Sequence, residues 1–162
     1  MFFVPGGAST PERIAATRAG IGEWVDGSGG VLSYKVVDHA AGADVTIRFL
    51  PGWFLVPNPM EVGRTTTVSE GHVLRHADIS LTTAQMTDGD LTERAAHEWW
   101  YTLGIHGHSD NPGDLMYGVT VHMIYVGRDA PPEQTRRVTT CDRNTIERAY
   151  PAWFREIRVV RA

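Results

Sequence analysis

The sequence predicts one α+β domain, or an α/β domain with a mixed sheet. A helical pattern near the start is followed by short strand patterns, a second helix, a glycine-bearing loop and a last helix. The 162 residues, 42% of them hydrophobic, suffice for one core and are too few for two typical domains. Glycine and proline are scattered, so no linker divides the chain. We therefore expect one domain over residues 1–162.

The composition excludes several function classes. The formal charge of −4 argues against a nucleic-acid partner. No apolar run approaches the ~20 residues that a membrane span needs. Cys141 is the only cysteine, which excludes an intrachain disulfide and a thiolate metal cluster. The segment Met1–Pro5 is short and lacks a basic region, so it does not predict a signal peptide.

A capping signal predicts the first helix. Residues 9–12 (Ser-Thr-Pro-Glu) supply a capping hydroxyl, a proline suited to the first turn and a carboxylate near the positive end of the helix dipole. Apolar residues then recur at helical spacing: Ile14, Ile21, Trp24 and Val25. The glycine-rich run 26–30 predicts a turn after this helix.

Strand patterns fill the next part of the chain. The segment Val31–Val37 is rich in β-branched residues, and Val45–Phe49 alternates apolar and polar residues, so both predict strands. The three prolines of Pro51–Pro59 exclude a central strand there. Arg64–Val68 and Ala77–Thr82 are two further predicted strands.

The second helix is expected to begin near Asp90, which stands in capping-box spacing with Glu93, and to stop at Gly104. A loop over 107–118 and a strand over 119–126 follow. The last helix begins near residues 140–142, with these side chains turned inward before Pro151 ends it: Ile146, Ala149 and Tyr150.

Residues 97–108 contain a pattern that is typical of a metal site. A helical histidine followed by a carboxylate, His97-Glu98, is the start of a zinc site in which the carboxylate accepts a proton from water. A second ligand belongs one turn later on the same face, and that position holds Tyr101. Gly104 allows a sharp turn, and we expect His108 to return to the same ion, with His106 as its rival.

This stretch resembles the metzincin zinc peptidases, most closely their matrixin branch, whose pattern is His-Glu-x-x-His-x-x-Gly-x-x-His. Gly104–Ser109 (Gly-Ile-His-Gly-His-Ser) is similar to a bacterial variant with one extra residue before the last histidine. Asp114–Tyr117 (Asp-Leu-Met-Tyr) is similar to the methionine turn beneath the metal.

The resemblance covers about residues 10–154. Ala43–Phe49 is similar to the core strand of the family, and Ala77–Leu81 to its substrate-side edge strand. Asp142–Ile146, with Tyr150-Pro151, is similar to the C-terminal helix. The implied fold is a mostly parallel twisted sheet with two long helices (about 9–104), then a subdomain with the methionine turn and a helix (about 105–162).

The resemblance implies a secreted zinc endopeptidase that binds an extended peptide. Its implied site comprises the zinc ligands His97, Tyr101 and His108, the general base Glu98, the substrate-binding residues Ile79, Leu81 and Trp100, and the methionine-turn residues Met116 and Tyr117. Calcium is not expected, because Asp110 and Asp114 lack EF-hand spacing.

Tyr101 departs from the family pattern, which has histidine there, and Trp100 replaces a small residue. Three interpretations stay open: Tyr101 binds zinc as a phenolate, the protein is a degenerate relative with weak or no metal binding, or the site was rebuilt on a natural scaffold. The second interpretation predicts a binding module without turnover, and the third allows another hydrolytic activity.

Overall fold

A computed structural model of the chain describes residues 1–52, 61–71, 73–84, 86–111, 113–117 and 136–150. The predicted strand 119–126, Pro151 and most of the proline segment lie outside these ranges. The elements are β1 (Phe2–Phe3), α1 (Pro11–Gly27), β2 (Val45–Leu50), β3 (Gly63–Glu70), β4 (Val73–Thr82), α2 (Asp88–Thr102) and α3 (Thr140–Ala149). None of the helices in these ranges is long and apolar enough to cross a membrane.

The four strands form one mostly parallel sheet in the order β1-β2-β4-β3. β2 runs parallel to both β1 and β4, and β3 pairs antiparallel with β4. The protein is therefore mixed α+β, as its element order predicts. Alternate residues of β2 and β4 are buried, which explains why Val45–Phe49 has a period of two.

The helices α1 and α2 pack together against the buried residues of the sheet. Trp24 of α1 is 1% exposed, and its indole Nε1 donates to the carbonyl oxygen of Ala96 at 2.7 Å. This bond joins the last turn of α1 to the residue of α2 that precedes His97. Helices and strands both contribute fully buried side chains to the core: Ile21, Ile47, Ile79, Leu81, Leu91, Leu115 and Ile146.

Capping explains where the helices begin. Thr10 caps α1 as expected. The capping box of α2 joins Thr87 to Asp90, so α2 begins two residues before the predicted Asp90 start, and the predicted pairing of Asp90 with Glu93 is wrong. A second box joins Thr139 to Asp142 at the start of α3.

Two other expectations are wrong. Val31–Val37 is not a strand: its backbone bonds instead to Met1, whose ammonium donates to the Lys35 carbonyl at 2.6 Å, while Leu32 and Tyr34 pack on the core. In α3, Ile146 is buried as predicted, but Ala149 is exposed. The strand Phe2–Phe3, which pairs with β2, has no strand pattern in the sequence that would have predicted it.

β4 lies inside the sheet, so the prediction that Ala77–Leu81 forms a free edge is wrong. Ile79 pairs with Ile47 of β2 on one side and with Thr65 of β3 on the other. Ile79 and Leu81 are 2% and 0% exposed. Their backbone groups are engaged in the sheet and their side chains in the core, which leaves neither free to pair with a substrate. Within the described ranges the outer strand on this side is β3.

Candidate functional site

The end of α2 sets the geometry of the site. The amides of Leu103 and Gly104 donate to the carbonyl oxygens of Trp100 and Tyr101, each at 3.1 Å, and close the last turn. Gly104 has a φ of 73°, in the left-handed region that a glycine adopts without strain. The predicted helix stop is therefore confirmed, and the chain reverses there to bring His108 back beside α2.

Three donor atoms converge at this reversal. The phenol oxygen of Tyr101 lies 3.1 Å from Nε2 of His97 and 2.7 Å from Nε2 of His108. The rings of His97 and His108 are 5.6 Å apart between centroids. His106 instead lies on the outer side of Tyr101, with its ring stacked on the phenol at 6.3 Å. The spacing of residues 97, 101 and 108 thus brings together the three side chains that the sequence singled out.

The segment Asp114–Tyr117 makes hydrogen bonds to His97 and to the neighbour of His108. Nδ1 of His97 lies 3.0 Å from the carbonyl oxygen of Leu115, which leaves Nε2 facing Tyr101. The amide of Ser109, next to His108, donates to the carbonyl oxygen of Met116 at 2.7 Å. Met116 is 2% exposed and belongs to the core.

Asp114 organises the same segment. Its buried carboxylate accepts from the Ser109 hydroxyl at 2.6 Å, the Asn111 amide at 3.1 Å and the Thr139 hydroxyl at 3.3 Å. Tyr117, which the sequence placed in the turn, forms a bridge with Ser109. These contacts fix the backbone from which the His108 imidazole projects.

Two imidazole nitrogens and one phenol oxygen are donors that would bind zinc once the phenol loses its proton. Imidazole nitrogen and ionised oxygen are zinc ligands, and bonds of 2.0–2.1 Å in a tetrahedron place neighbouring donors about 3.3 Å apart. Burial lowers the pKa of His97 to about 4, so its imidazole is neutral, the form that binds metals. Burial, with a smaller contribution from Glu98, raises the pKa of Tyr101 to about 12. Of His, Cys, Asp and Glu alone, the described part of the chain gathers no group of three for a metal, so this site depends on the phenol.

Glu98 lies on the sheet side of α2 and is 6% exposed. The hydroxyl of Thr65 donates to its Oε2 at 2.7 Å. Burial raises the pKa of Glu98 to about 7, although the Thr65 hydrogen bond and the charge of Arg94 both act in the opposite direction. A carboxyl group with this pKa can both accept and donate a proton near neutral pH.

The tryptophans beside the site belong to the core. Trp100 is 4% exposed and packs on Trp24 with ring centroids 4.8 Å apart, so its predicted role in substrate binding is wrong. Helix direction explains the difference, because residue 100 projects toward α1 and not toward His97. Trp99 packs edge-on against Tyr34.

Sequence reasoning missed the residues of β3 that contact Glu98. Thr65 gives the carboxylate a hydrogen bond, and Gly63 lies against it so closely that an added Cβ would be 2.6 Å from Oε1. The available signal was the glycine itself, since a glycine within a strand often marks a close approach.

No protein-family model matches the chain, and no curated protein matches it.

Proposed function

We propose that this chain is a zinc-dependent endopeptidase of metzincin-like fold, with His97, Tyr101 and His108 as the zinc ligands. The observation that carries the proposal is the convergence of one phenol oxygen on two imidazole nitrogens, beside a buried carboxyl group on the same helix. Zinc, when bound, supplies Lewis acidity toward a peptide carbonyl.

Glu98 acts as the proton carrier of this reaction. It takes a proton from the attacking water and gives it to the leaving amine nitrogen, as a group with a pKa of about 7 can do. Thr65 holds Oε2, so the carboxyl group keeps one orientation during both transfers. The surrounding burial excludes bulk water from the carboxylate.

The substrate class follows from the position of β3. Within the described ranges β3 is paired only with β4, so its outer backbone groups are open to a further strand. Gly63 and Thr65 of β3 also contact Glu98. A peptide that adds to β3 as an extended strand therefore lies beside the proton carrier. The metzincin resemblance supports a secreted protein, which fractionation of the producing cells tests.

Zinc content and proteolysis test this proposal together. We expect about one zinc per chain after purification without chelator, and cleavage of unfolded casein that stops on addition of EDTA. Glu98→Gln should keep the zinc and lose at least ~100-fold in rate. Glu147→Gln, on the exposed face of α3, is the matched control and should behave as the wild type. Full activity in Glu98→Gln would exclude the mechanism.

A module of the same fold without catalysis is the second candidate. One feature favours it: the Tyr101 hydroxyl already bonds to both imidazoles, so the three side chains satisfy one another without an ion. This candidate predicts no zinc in the wild-type protein and acquisition of zinc in Tyr101→His. The zinc measurement therefore separates the two candidates.

A further inference from the structure

The outer edge of β3 lacks the features that protect an edge strand. β3 spans eight residues, Gly63–Glu70, and in the described part of the chain it pairs only with β4. It contains no proline or lysine, and the stretch from Thr65 to Ser69 carries no charge. Val68 lies in that stretch and is 55% exposed. An edge of this kind pairs readily with a strand of another chain, because its outer backbone groups have no partner.

The hydrogen bonds between β3 and β4 determine which backbone groups face outward. The amide of Thr82 donates to the carbonyl oxygen of Val62 at 3.1 Å, and the two residues stand opposite each other in the register of this strand pair. In an antiparallel pair, hydrogen-bonded and non-hydrogen-bonded positions alternate. Even-numbered residues from 64 to 68 therefore bond to β4, and Gly63, Thr65 and Thr67 direct their N–H and C=O groups outward. A strand that adds to this edge bonds to the odd-numbered residues.

The side chains of β3 alternate between the two faces of the sheet. Thr65 bonds to Glu98 of α2, so the even-numbered side chains project from the opposite face. The irregularity in the pairing skips Arg75 of β4 and leaves the alternation of β3 regular. Arg64 and Glu70 therefore project from the same face, near opposite ends of the strand.

Self-pairing about Thr67 satisfies both the backbone and the charges. A second copy that runs antiparallel, with the two Thr67 residues opposite each other, places Arg64 opposite Glu70 of that copy, twice by symmetry. Centring the pair on Thr66 or Val68 instead leaves neither charge directly opposite a charge of the other sign. In the Thr67-centred register, Thr66 faces Val68 of the second copy, a β-branched pair that covers part of the exposed valine.

The charged residues keep their present partners in this arrangement. Glu61 forms an ion pair with Arg64, and Arg75 forms one with Glu70 at 2.9 Å. Pairing of two copies then lines up charges of alternating sign across the interface: Glu61 and Arg64 of one copy, followed by Glu70 and Arg75 of the other. A network of this kind contributes more than an isolated exposed ion pair does.

We propose that two copies of this chain form a symmetric dimer through β3, centred on Thr67, which joins the two sheets into one. The outward backbone groups of each strand bond to those of the other, and the alternating charges select the register. The dimer is independent of the zinc proposal. One consequence rests on the proposed function: the dimer occupies the edge assigned above to the peptide, so only the monomer binds substrate there.

Sedimentation velocity of the EDTA-treated full chain over a range of concentrations tests the dimer without zinc or substrate. We expect the mass to rise from that of one chain to that of two, and the dimer to weaken as ionic strength rises. Arg64→Glu and Glu70→Arg should each weaken the dimer by about tenfold or more, because each places like charges opposite one another twice. Arg18→Glu, at an exposed position of α1, is the matched control and should dimerise as the wild type does.

Mixing the two charge variants tests the register. In a mixture of Arg64→Glu with Glu70→Arg, both cross-strand positions again carry opposite charges, so a heterodimer should form although each variant alone is mostly monomeric. The double variant Arg64→Glu/Glu70→Arg should likewise self-associate. Restoration on mixing requires positions 64 and 70 to face each other, because each chain keeps its own substitution.

Thr67→Pro tests the backbone contact. The N–H of Thr67 points outward, so proline removes the central donor of the interface and no hydrogen bond to β4. We expect a monomer with the wild-type circular dichroism spectrum; should this variant fail to fold, the charge variants carry the test. A wild type that stays monomeric up to about 1 mM would overturn the proposal, as would a mixture without heterodimer or a folded Thr67→Pro that dimerises normally. A monomeric wild type that binds an unfolded peptide at β3 would also overturn it and assign the edge to substrate.

Discussion

Gly63 of β3 and Glu98 of α2 are in such close contact that a Cβ atom at position 63 would lie 2.6 Å from Oε1 and 2.9 Å from Cδ of the carboxyl group. A side chain at this position is incompatible with the present place of the carboxylate. The absence of one lets α2 approach the sheet and lets Thr65 reach Oε2 at 2.7 Å. One strand residue therefore determines where the Glu98 carboxyl group lies.

Gly63→Ala should displace the Glu98 carboxyl group. We expect the free energy of unfolding to fall by about 1–3 kcal/mol, because the added methyl group overpacks a buried contact. Urea denaturation measures this loss. Gly52→Ala, where a Cβ would have no atom within 4 Å, is the control and should stay within about 0.5 kcal/mol of the wild type. Equal stability of the two variants would show that the contact is not tight.

His97 and Glu98 should give opposite pH dependences of stability in the metal-free protein. Burial raises the pKa of Glu98 from 4.5 to about 7, so its contribution is present below pH 4.5 and is lost as the pH rises to 7. Burial lowers the pKa of His97 from 6.5 to about 4, so its contribution is present above pH 6.5 and is lost as the pH falls to 4. Each amounts to about 3 kcal/mol, and they oppose each other between pH 4.5 and 6.5.

Glu98→Gln should reveal the effect of His97 on the pH dependence of stability, because the opposing effect of Glu98 is removed. Its free energy of unfolding should rise with pH between 4.5 and 6.5 more steeply than that of the wild type, by about 1.4 kcal/mol per pH unit. Chemical denaturation of EDTA-treated protein at several pH values in this window measures the slope. Glu147→Gln should keep the wild-type slope. Parallel curves for the wild type and Glu98→Gln would mean that Glu98 is ionised in the folded protein at these pH values.

Tyr101 should make zinc binding strongly pH-dependent. Its phenol, with a pKa of about 12, is protonated at neutral pH, and binding as a phenolate releases that proton. We expect the zinc affinity of the wild type to rise by about tenfold per pH unit between 6.5 and 8.5, as measured by competition with a chelating dye. Tyr101→His should bind more tightly with a shallower dependence, and Tyr101→Phe should lose about 100-fold or more. Unchanged affinity in Tyr101→Phe would remove the phenol from the ligand set.

Asp114 should affect zinc binding without contacting the ion. Its carboxylate holds Ser109, the neighbour of His108, and also accepts from Asn111 and Thr139. Asp114→Asn replaces an acceptor with a donor, and we expect zinc affinity to fall by about 10–100-fold. Asp110→Asn, an exposed change in the same loop, is the control. Identical affinities of the two variants would show that the loop holds His108 without Asp114.

The sequence was most informative where structure is local. The cap at Thr10 and the stop at Gly104 depend on contacts within a few residues, the alternation of Val45–Phe49 reflects the two faces of a single strand, and each was predicted. The clustering of His97 and Tyr101 follows from helical spacing alone.

Failures arose where long-range pairing decides the outcome. The family resemblance predicts that Ile79 lies in an edge strand, but the order of the strands places it between β2 and β3. Trp100 lies next to Tyr101 in the sequence, yet its side chain packs in the core against Trp24 of α1. Contact of Thr65 with Glu98 spans 33 positions of the chain and has no local signal.

The hydrogen bonds that Tyr101 makes to both imidazoles also bear on kinetics. On the zinc proposal, all three ligands are already hydrogen-bonded to one another in the metal-free protein, and zinc would have to replace both of these bonds. On the zinc proposal, we expect the opening of these two hydrogen bonds, and not diffusion, to limit the rate of zinc uptake. Because these bonds already order the three rings, we expect little further loss of side-chain conformational entropy if zinc binds.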